Sequence, residues 1–114
     1  MALIAGNPEL DFIENVDIGA EHAARAIRDS EKAGEIWTLG WNVSYGQLDA
    51  IDEGLQVVAL DQKWSEQAGF GALACADFLA NGIVRPNTQE LFPVTAANTA
   101  EARAELDAVL GGGE

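Results

Sequence analysis

The alternation of short apolar strands with capped helices in residues 34–71 constrains the fold of this chain more than any other feature. Residues 35–39 and 55–60 are each predicted to form a strand, and the predicted helix between them begins at Ser44. Two strands joined through a helix lie parallel in one sheet. Because the carboxyl ends of parallel strands share one edge, the polar residues after these strands are predicted to lie side by side.

The same alternation continues along the rest of the chain. Two further strands are predicted at residues 10–14 and 90–95, with helices at 17–32, at 64–81 and after Asn98. This order predicts an α/β fold of three layers, in which helices cover both faces of a mostly parallel sheet. Residues 1–114 are expected to form a single domain, and residues 111–114 a flexible tail.

Two kinds of local pattern specify the helices. Ser44 with Gln47, and Asn98 with Glu101, match the capping box. In this motif the side chain of each residue accepts a hydrogen bond from the backbone N–H of the other. The helix over residues 64–81 carries Ala68, Ala72 and Ala76 on one face. We expect these small side chains to let that helix pack close to the sheet.

Charge and cysteine content exclude several classes of protein. Six basic residues stand against nineteen acidic ones, for a net charge of −13. Phosphate neutralisation needs a Lys/Arg cluster, so neither nucleic acid nor an anionic membrane surface is an expected partner. No apolar run reaches membrane-spanning length. Cys75 is the only cysteine, which excludes an internal disulfide, and its alanine-rich surroundings predict a buried structural thiol.

No pattern of a catalytic or cofactor site occurs in the sequence. It lacks the glycine-rich loops that bind phosphates, a serine triad with a second histidine, and Cys/His metal spacing. His22 lies among alanines in a predicted helix and is expected to be a surface or packing residue. We therefore expect no enzyme, no cofactor and no metal.

Three segments resemble the C-terminal lobe of the type I periplasmic sugar-binding proteins, which are ribose-binding-like solute receptors of ABC importers. Residues 10–15 (LDFIEN) resemble the family strand that ends at an asparagine. Residues 37–69, which begin WTLGWN, resemble the run of strand, helix and strand that follows, and residues 81–101 resemble the closing segment. The resemblance implies a flavodoxin-like lobe that binds a sugar, in a family that is periplasmic. The chain shows no secretory signal pattern, which predicts a cytoplasmic location for the chain itself.

The resemblance implies a ligand site at the strand ends. Asn15, Asn42 and Asp61 match family positions whose amides and carboxylates bind sugar hydroxyls, and Trp41 and Trp64 flank them as candidate stacking residues. Structural alternatives stay open for each. The two asparagines are equally typical of helix caps, the aspartate of a solvated loop, and the tryptophans of packing residues.

The chain departs from the family in lacking the strand that opens the lobe. In the strand order 2-1-3-4-5 that missing strand is central, and its loss leaves unpaired backbone groups that each cost about 1–3 kcal/mol when buried. A reordered sheet, a homodimer or a separately supplied strand would each solve this. The sequence thus predicts an isolated half with weak or no sugar binding. The alternatives are a self-assembling fragment, which would be a homodimer through unpaired sheet edges, and the effector-binding domain of a lac-repressor-type regulator.

Overall fold

The computed structural model describes residues 2–17, 19–86 and 88–111, and it has an α/β fold. The elements, in chain order, are α1 (Ala2–Gly6), β1 (Phe12–Glu14), α2 (Gly19–Asp29), β2 (Trp37–Trp41), α3 (Tyr45–Asp52), β3 (Gln56–Asp61), α4 (Trp64–Asn81), β4 (Phe92–Val94) and α5 (Thr99–Leu110). The predicted element order is confirmed. Of the predicted tail, residues 112–114 lie outside the described residues.

The strands form one sheet in the order β1-β2-β3-β4. Strand β1 pairs parallel to β2, with Phe12 opposite Trp37, and β2 pairs parallel to β3, with Trp41 opposite Leu60. The predicted parallel sheet is therefore confirmed. Three solutions were predicted for the missing central strand: a reordered sheet, a homodimer or a separately supplied strand. Strand β1 pairs directly with β2, so the described chain has the reordered sheet, with no gap between these two strands.

A register shift between β2 and β3 decides which residues face the core. Thr38 pairs with Gln56 whereas Leu39 pairs with Val58, so Val57 is an extra residue in β3. The extra residue shifts the alternation of side chains by one, so Gln56 and Ala59, three residues apart, face the same side of the sheet. Gln56 and Ala59 are accordingly both buried, and Val57 is 45% exposed.

The core lies between the sheet and the layer formed by α2, α3 and α5. Helix α2 packs on β2, α3 packs on β3, and α3 contacts both other helices. One apolar cluster consists of Ile4, Ala24, Ile27, Ile36, Ala50 and Leu55. A second consists of Leu48, Ile51, Ala59, Val94 and Ala102.

The chain forms two compact units, one of residues 1–61 with 93–114 and one of residues 62–92. In the second unit, α4 has the predicted bounds, but none of its 18 residues is buried. Ala68, Ala72 and Ala76, the small residues predicted to pack closely, are exposed, so their predicted burial is wrong. Cys75 is exposed as well, so the predicted buried thiol is also wrong. None of the described helices combines the length and apolar character needed to cross a membrane.

The two predicted capping boxes form only in part. Ser44 caps α3 by accepting from the backbone N–H of Gln47, as predicted. The Gln47 side chain does not return to the cap, because it is buried and bonds to β2 and β3 instead. At α5, Asn98 makes no side-chain cap bond, and its Oδ1 accepts from the backbone N–H of Thr95.

Candidate functional site

Backbone hydrogen bonds also form just beyond the carboxyl ends of β1 and β2. They join the residue after β1 to β2 and the residue after β2 to β3. The N–H of Asn15 donates to the carbonyl of Leu39 at 3.3 Å, and the N–H of Asn42 donates to the carbonyl of Leu60 at 2.8 Å. Asn15, Asn42 and the end of β3 at Asp61 therefore follow adjacent strands at one edge of the sheet. We call this the carboxyl edge.

A residue in the left-handed backbone region follows each of the first three strands. Asp17 after β1 has φ 55°, Asn42 after β2 has φ 66°, and Lys63 after β3 has φ 50°. Asn and Asp tolerate this region better than most side chains. The backbone turn thus accounts for an Asp and an Asn at the first two exits, apart from any role in binding.

The side chain of Asn15 is bonded within the protein. Its Nδ2 donates to the hydroxyl of Thr38 at 3.0 Å and to the carbonyl of Ile13 at 3.4 Å. A side-chain carbon at Gly19 would lie only 3.3 Å from Asn15, so the start of α2 passes close over this asparagine. Asn15 therefore links β1, β2 and α2, and its amide hydrogens are already engaged.

Asn42 pairs with a residue that the sequence did not indicate. Its Nδ2 donates to Oδ1 of Asp17 at 2.7 Å, and the N–H of Trp41 donates to the carbonyl of Asp17 at 3.3 Å. Asp17 is exposed and Asn42 is half-buried. This pair puts a carboxylate beside an amide at the carboxyl edge. The only sequence signal for it was the position of Asp17 just after a predicted strand.

The remaining predicted site residues differ in their surroundings. Asp61 ends β3 and is half-buried, as is Trp41, which ends β2 opposite Leu60. Trp64 belongs to the unit of residues 62–92, opens α4 and is 60% exposed. Asn15, Trp41, Asn42 and Asp61 thus come from adjacent strand ends, whereas Trp64 comes from the other compact unit.

Buried polar residues support the carboxyl edge from the helix side. Gln47 Nε2 donates to the carbonyl of Trp41 at 3.0 Å, and Gln47 Oε1 accepts from Gln56 Nε2 at 2.8 Å. Gln56 Oε1 is buried without a hydrogen-bond partner among the described residues. A side-chain carbon at Gly40 would collide with Gln47 and Ala20, so only glycine fits this network.

Helices α2 and α3 are joined next to this network by one carboxylate. The Ser44 hydroxyl donates to Glu21 Oε1, and a side-chain carbon at Gly46 would meet the same carboxylate. A negative charge at the start of a helix is stabilised by the unpaired N–H groups there. Glu21 therefore fixes the start of α3, which directly follows the Trp41–Asn42 exit.

The chemistry available at the carboxyl edge is hydrogen bonding. Asp17 and Asp61 supply carboxylates, and Asn15 and Asn42 supply amides, groups that accept from and donate to hydroxyls. No group of three metal-ligating side chains occurs among residues 2–17, 19–86 and 88–111. Away from the edge, bonding to Asp49 and Asp52 raises the pKa of Arg103, and bonding to Asp107 raises the pKa of Tyr45.

Comparison with solved structures assigns the fold. A carbohydrate transporter solute-binding protein from Agrobacterium radiobacter, in complex with D-arabinose, matches with TM-score 0.70 and 18% identity over 91% of this chain and 36% of its own. A sugar-binding protein of an ABC transporter from Bacillus halodurans matches with TM-score 0.67 and 23% identity over 87% of this chain and 39% of its own. A LacI-type transcriptional regulator from Bacteroides fragilis matches with TM-score 0.72 and 12% identity over 87% of this chain and 35% of its own.

The fold is that of one lobe of the periplasmic sugar-binding proteins, which the LacI-type regulators share. The chain spans just over a third of the length of these structures. No protein-family model and no curated protein matches the sequence. These structural neighbours are binding proteins and a regulator rather than enzymes.

Proposed function

We propose that this chain is a carbohydrate-binding half related to the solute-binding subunits of ABC sugar importers. The observation that carries the proposal is the carboxyl edge, where the exits of adjacent parallel strands bring amides and carboxylates together. Ligands of open α/β sheets bind outside this edge. The sugar-binding proteins that share the fold are periplasmic, and two of the neighbours above are sugar-binding components of transporters.

Each predicted site residue has a proposed role. Asn15, Asn42 and Asp61 exchange hydrogen bonds with sugar hydroxyls, each of which is both donor and acceptor. Trp41 is the proposed stacking residue for an apolar face of the ring. Trp64, in the unit of residues 62–92, is a separate stacking candidate. Asp17 joins this set because it orients the amide of Asn42.

We expect the affinity of this half to be weak or absent. Sites for small ligands enclose about 70–90% of the ligand surface, which a single edge of a sheet does not. The amide hydrogens of Asn15 and Nδ2 of Asn42 are also bonded within the protein. A sugar must therefore share or displace existing bonds, and we expect a Kd weaker than about 1 mM.

Two measurements test this proposal. Calorimetric titration with D-arabinose, D-fucose and D-glucose is expected to give little or no heat, and micromolar binding by a monomer would refute the weak half-site. Amide NMR shifts at high sugar concentration are expected to change at residues 15–17, 41–42 and 61. Asn42→Ala should abolish these changes, whereas Asn81→Ala, at an exposed helix end, should not. Shifts confined to other surfaces would exclude the carboxyl edge.

An effector-binding role is a second candidate because the B. fragilis regulator shares the fold. The same edge would then bind a small effector molecule. The NMR titration distinguishes the two candidates when anionic and heterocyclic compounds are added beside the sugars. Changes at residues 41–42 with these compounds and none with sugars would favour the effector.

Self-assembly as a homodimer is the remaining proposal. The sequence predicts unpaired sheet edges as the contact, and direct pairing of β1 with β2 leaves outer edges on β1 and β4. Sedimentation at increasing protein concentration tests it. A strict monomer at high concentration would contradict any homodimer.

A further inference from the structure

Helix α4 has one face that is apolar throughout and exposed throughout. Trp64, Ala68, Ala72, Cys75 and Leu79 recur at the spacing that places side chains on one side of a helix, and every one of them is exposed. We call this the outer face of α4. Trp64 is 60% and Leu79 is 83% exposed.

The opposite face of α4 is the more enclosed one. The half-buried residues of the helix, Phe70, Ala74 and Asp77, share it at helical spacing. Arg85, from the segment after the helix, forms an ion pair with Asp77. One side of α4 is therefore partly enclosed, and the residues of the outer face are exposed.

A helix of this composition needs a packed face to be stable. It contains Gly69 and Gly71, each of which costs about 1 kcal/mol relative to alanine in a helix interior. Most helical stability in proteins comes from packing of an apolar face. Exposed apolar patches beyond a few hundred Å² mark interaction surfaces. The outer face thus has the character of an interface.

Charge indicates what covers the outer face. Residues 62–92 contain two basic and three acidic residues, a net charge of −1, and the rest of the chain carries −12. Two copies that meet through the acidic part would repel each other more strongly than two copies that meet through this nearly neutral segment. The outer face itself supplies two large apolar side chains, Trp64 and Leu79, and Phe78 borders it at helical spacing; all three are more than half exposed. They contribute part of the about 800 Å² that a stable interface takes from each partner.

We propose that α4 binds α4 of a second copy, antiparallel, through the outer face. An antiparallel register places Trp64 opposite Leu79 of the other copy and Ala68 opposite Cys75 of the other copy. Small residues then meet at the centre and large ones at the ends, so the face is self-complementary, as a two-fold contact requires. The inference rests on the proposed self-association and does not depend on sugar binding. It locates the contact between the two copies on α4 instead of on the sheet edges.

Sedimentation of variants tests the surface. The wild-type chain is expected to pass from the mass of one chain to that of two as concentration rises. Leu79→Glu should weaken the dimer at least about tenfold, because it buries a charge without a partner. Val109→Glu, at a position on α5 that is 71% exposed, is the matched control and should leave the dimer unchanged. Circular dichroism checks that each variant is folded.

Cysteine crosslinking tests the register. Ala68→Cys adds a second thiol seven residues before Cys75, about 10 Å along the same helix and too far for a bond within one chain. Oxidation by oxidised glutathione should therefore join two copies of Ala68→Cys covalently, at least about tenfold faster than two copies of Ala104→Cys, an exposed control on α5. A wild-type chain that stays monomeric would overturn every homodimer, including this one. A dimer that survives Leu79→Glu would overturn the α4 contact alone and favour the sheet edges.

Discussion

Helices α3 and α4 differ in burial far more than in apolar content. Helix α3 has eight residues, and four of them, Gln47, Leu48, Ala50 and Ile51, are buried. Helix α4 has 18 residues, is the more apolar, and buries none. The large apolar residues of α3 lie on one side, whereas those of α4 also occur around the helix, as at Phe70 and Leu73. Burial thus depends on where the apolar side chains lie rather than on how many there are.

The two leucines of these helices give the largest expected contrast in stability. Leu48 is 0% exposed and Leu79 is 83% exposed. We expect Leu48→Ala to lower the free energy of unfolding by about 2–5 kcal/mol, because it leaves a cavity beside Ile51 and Val94. Leu79→Ala should change it by less than about 0.5 kcal/mol. Urea denaturation in dilute solution measures both, and equal effects would contradict the contrast.

Two glycines provide the next contrast, since the same substitution has opposite expected signs. Gly40→Ala places a carbon against Gln47 and Ala20 and should destabilise the chain by about 1–3 kcal/mol. Gly69→Ala meets nothing within 4 Å and should stabilise α4 by about 0.5–1 kcal/mol. Thermal unfolding followed by circular dichroism measures the shifts. A stabilising Gly40→Ala would show that the buried glutamines move aside.

The buried glutamine pair gives a smaller expected difference within the packed unit. Gln47→Met removes the bond to the Trp41 carbonyl and an acceptor of Gln56, and should cost about 1–3 kcal/mol. Gln56→Met should cost less, because it also removes the unpartnered Oε1. A double-mutant cycle in urea measures the coupling between the two positions. A coupling of zero would mean that the bond between the side chains contributes no stability.

The smallest expected effect is on the titration of Tyr45, which is the only tyrosine. The hydrogen bond to Asp107 raises its pKa above 10.0. Because the raised pKa favours the neutral phenol in the folded chain, its contribution is complete below pH 10.0 and is lost as pH rises through the folded pKa. Ultraviolet titration should show Asp107→Asn moving the midpoint back toward 10.0. A wild-type midpoint at 10.0 would show that α3 and α5 do not maintain this bond.

The sequence predicted the parallel sheet and its element order because strand and helix periodicities differ clearly along the chain. Ser44 was predicted correctly as a helix cap, since that bond is local. The return bond of Gln47 was predicted wrongly, because its partners Trp41 and Gln56 belong to two strands whose alignment depends on a bulge. No local pattern reports such a bulge.

The candidate site was predictable in position but not in detail. The alternation of strands and helices, together with the family resemblance, places Asn15, Asn42 and Asp61 at strand ends. Their role as ligand contacts stays a prediction. The bonds of Asn15 to Thr38 and of Asn42 to Asp17 join residues 23 and 25 positions apart. Those contacts follow from the pairing of β1 with β2, which the sequence left open among three solutions.

The direct ladder between β1 and β2 determines how the sheet would respond to an added strand. A peptide with the sequence of a lobe-opening strand would find Phe12 already opposite Trp37 and the N–H of Asn15 already bonded to Leu39. Insertion would therefore proceed by strand displacement, in which three residue pairs separate before new ones form. Uptake of such a peptide should accordingly be slow and should speed up when β1 is weakened, unlike simple docking at an outer edge.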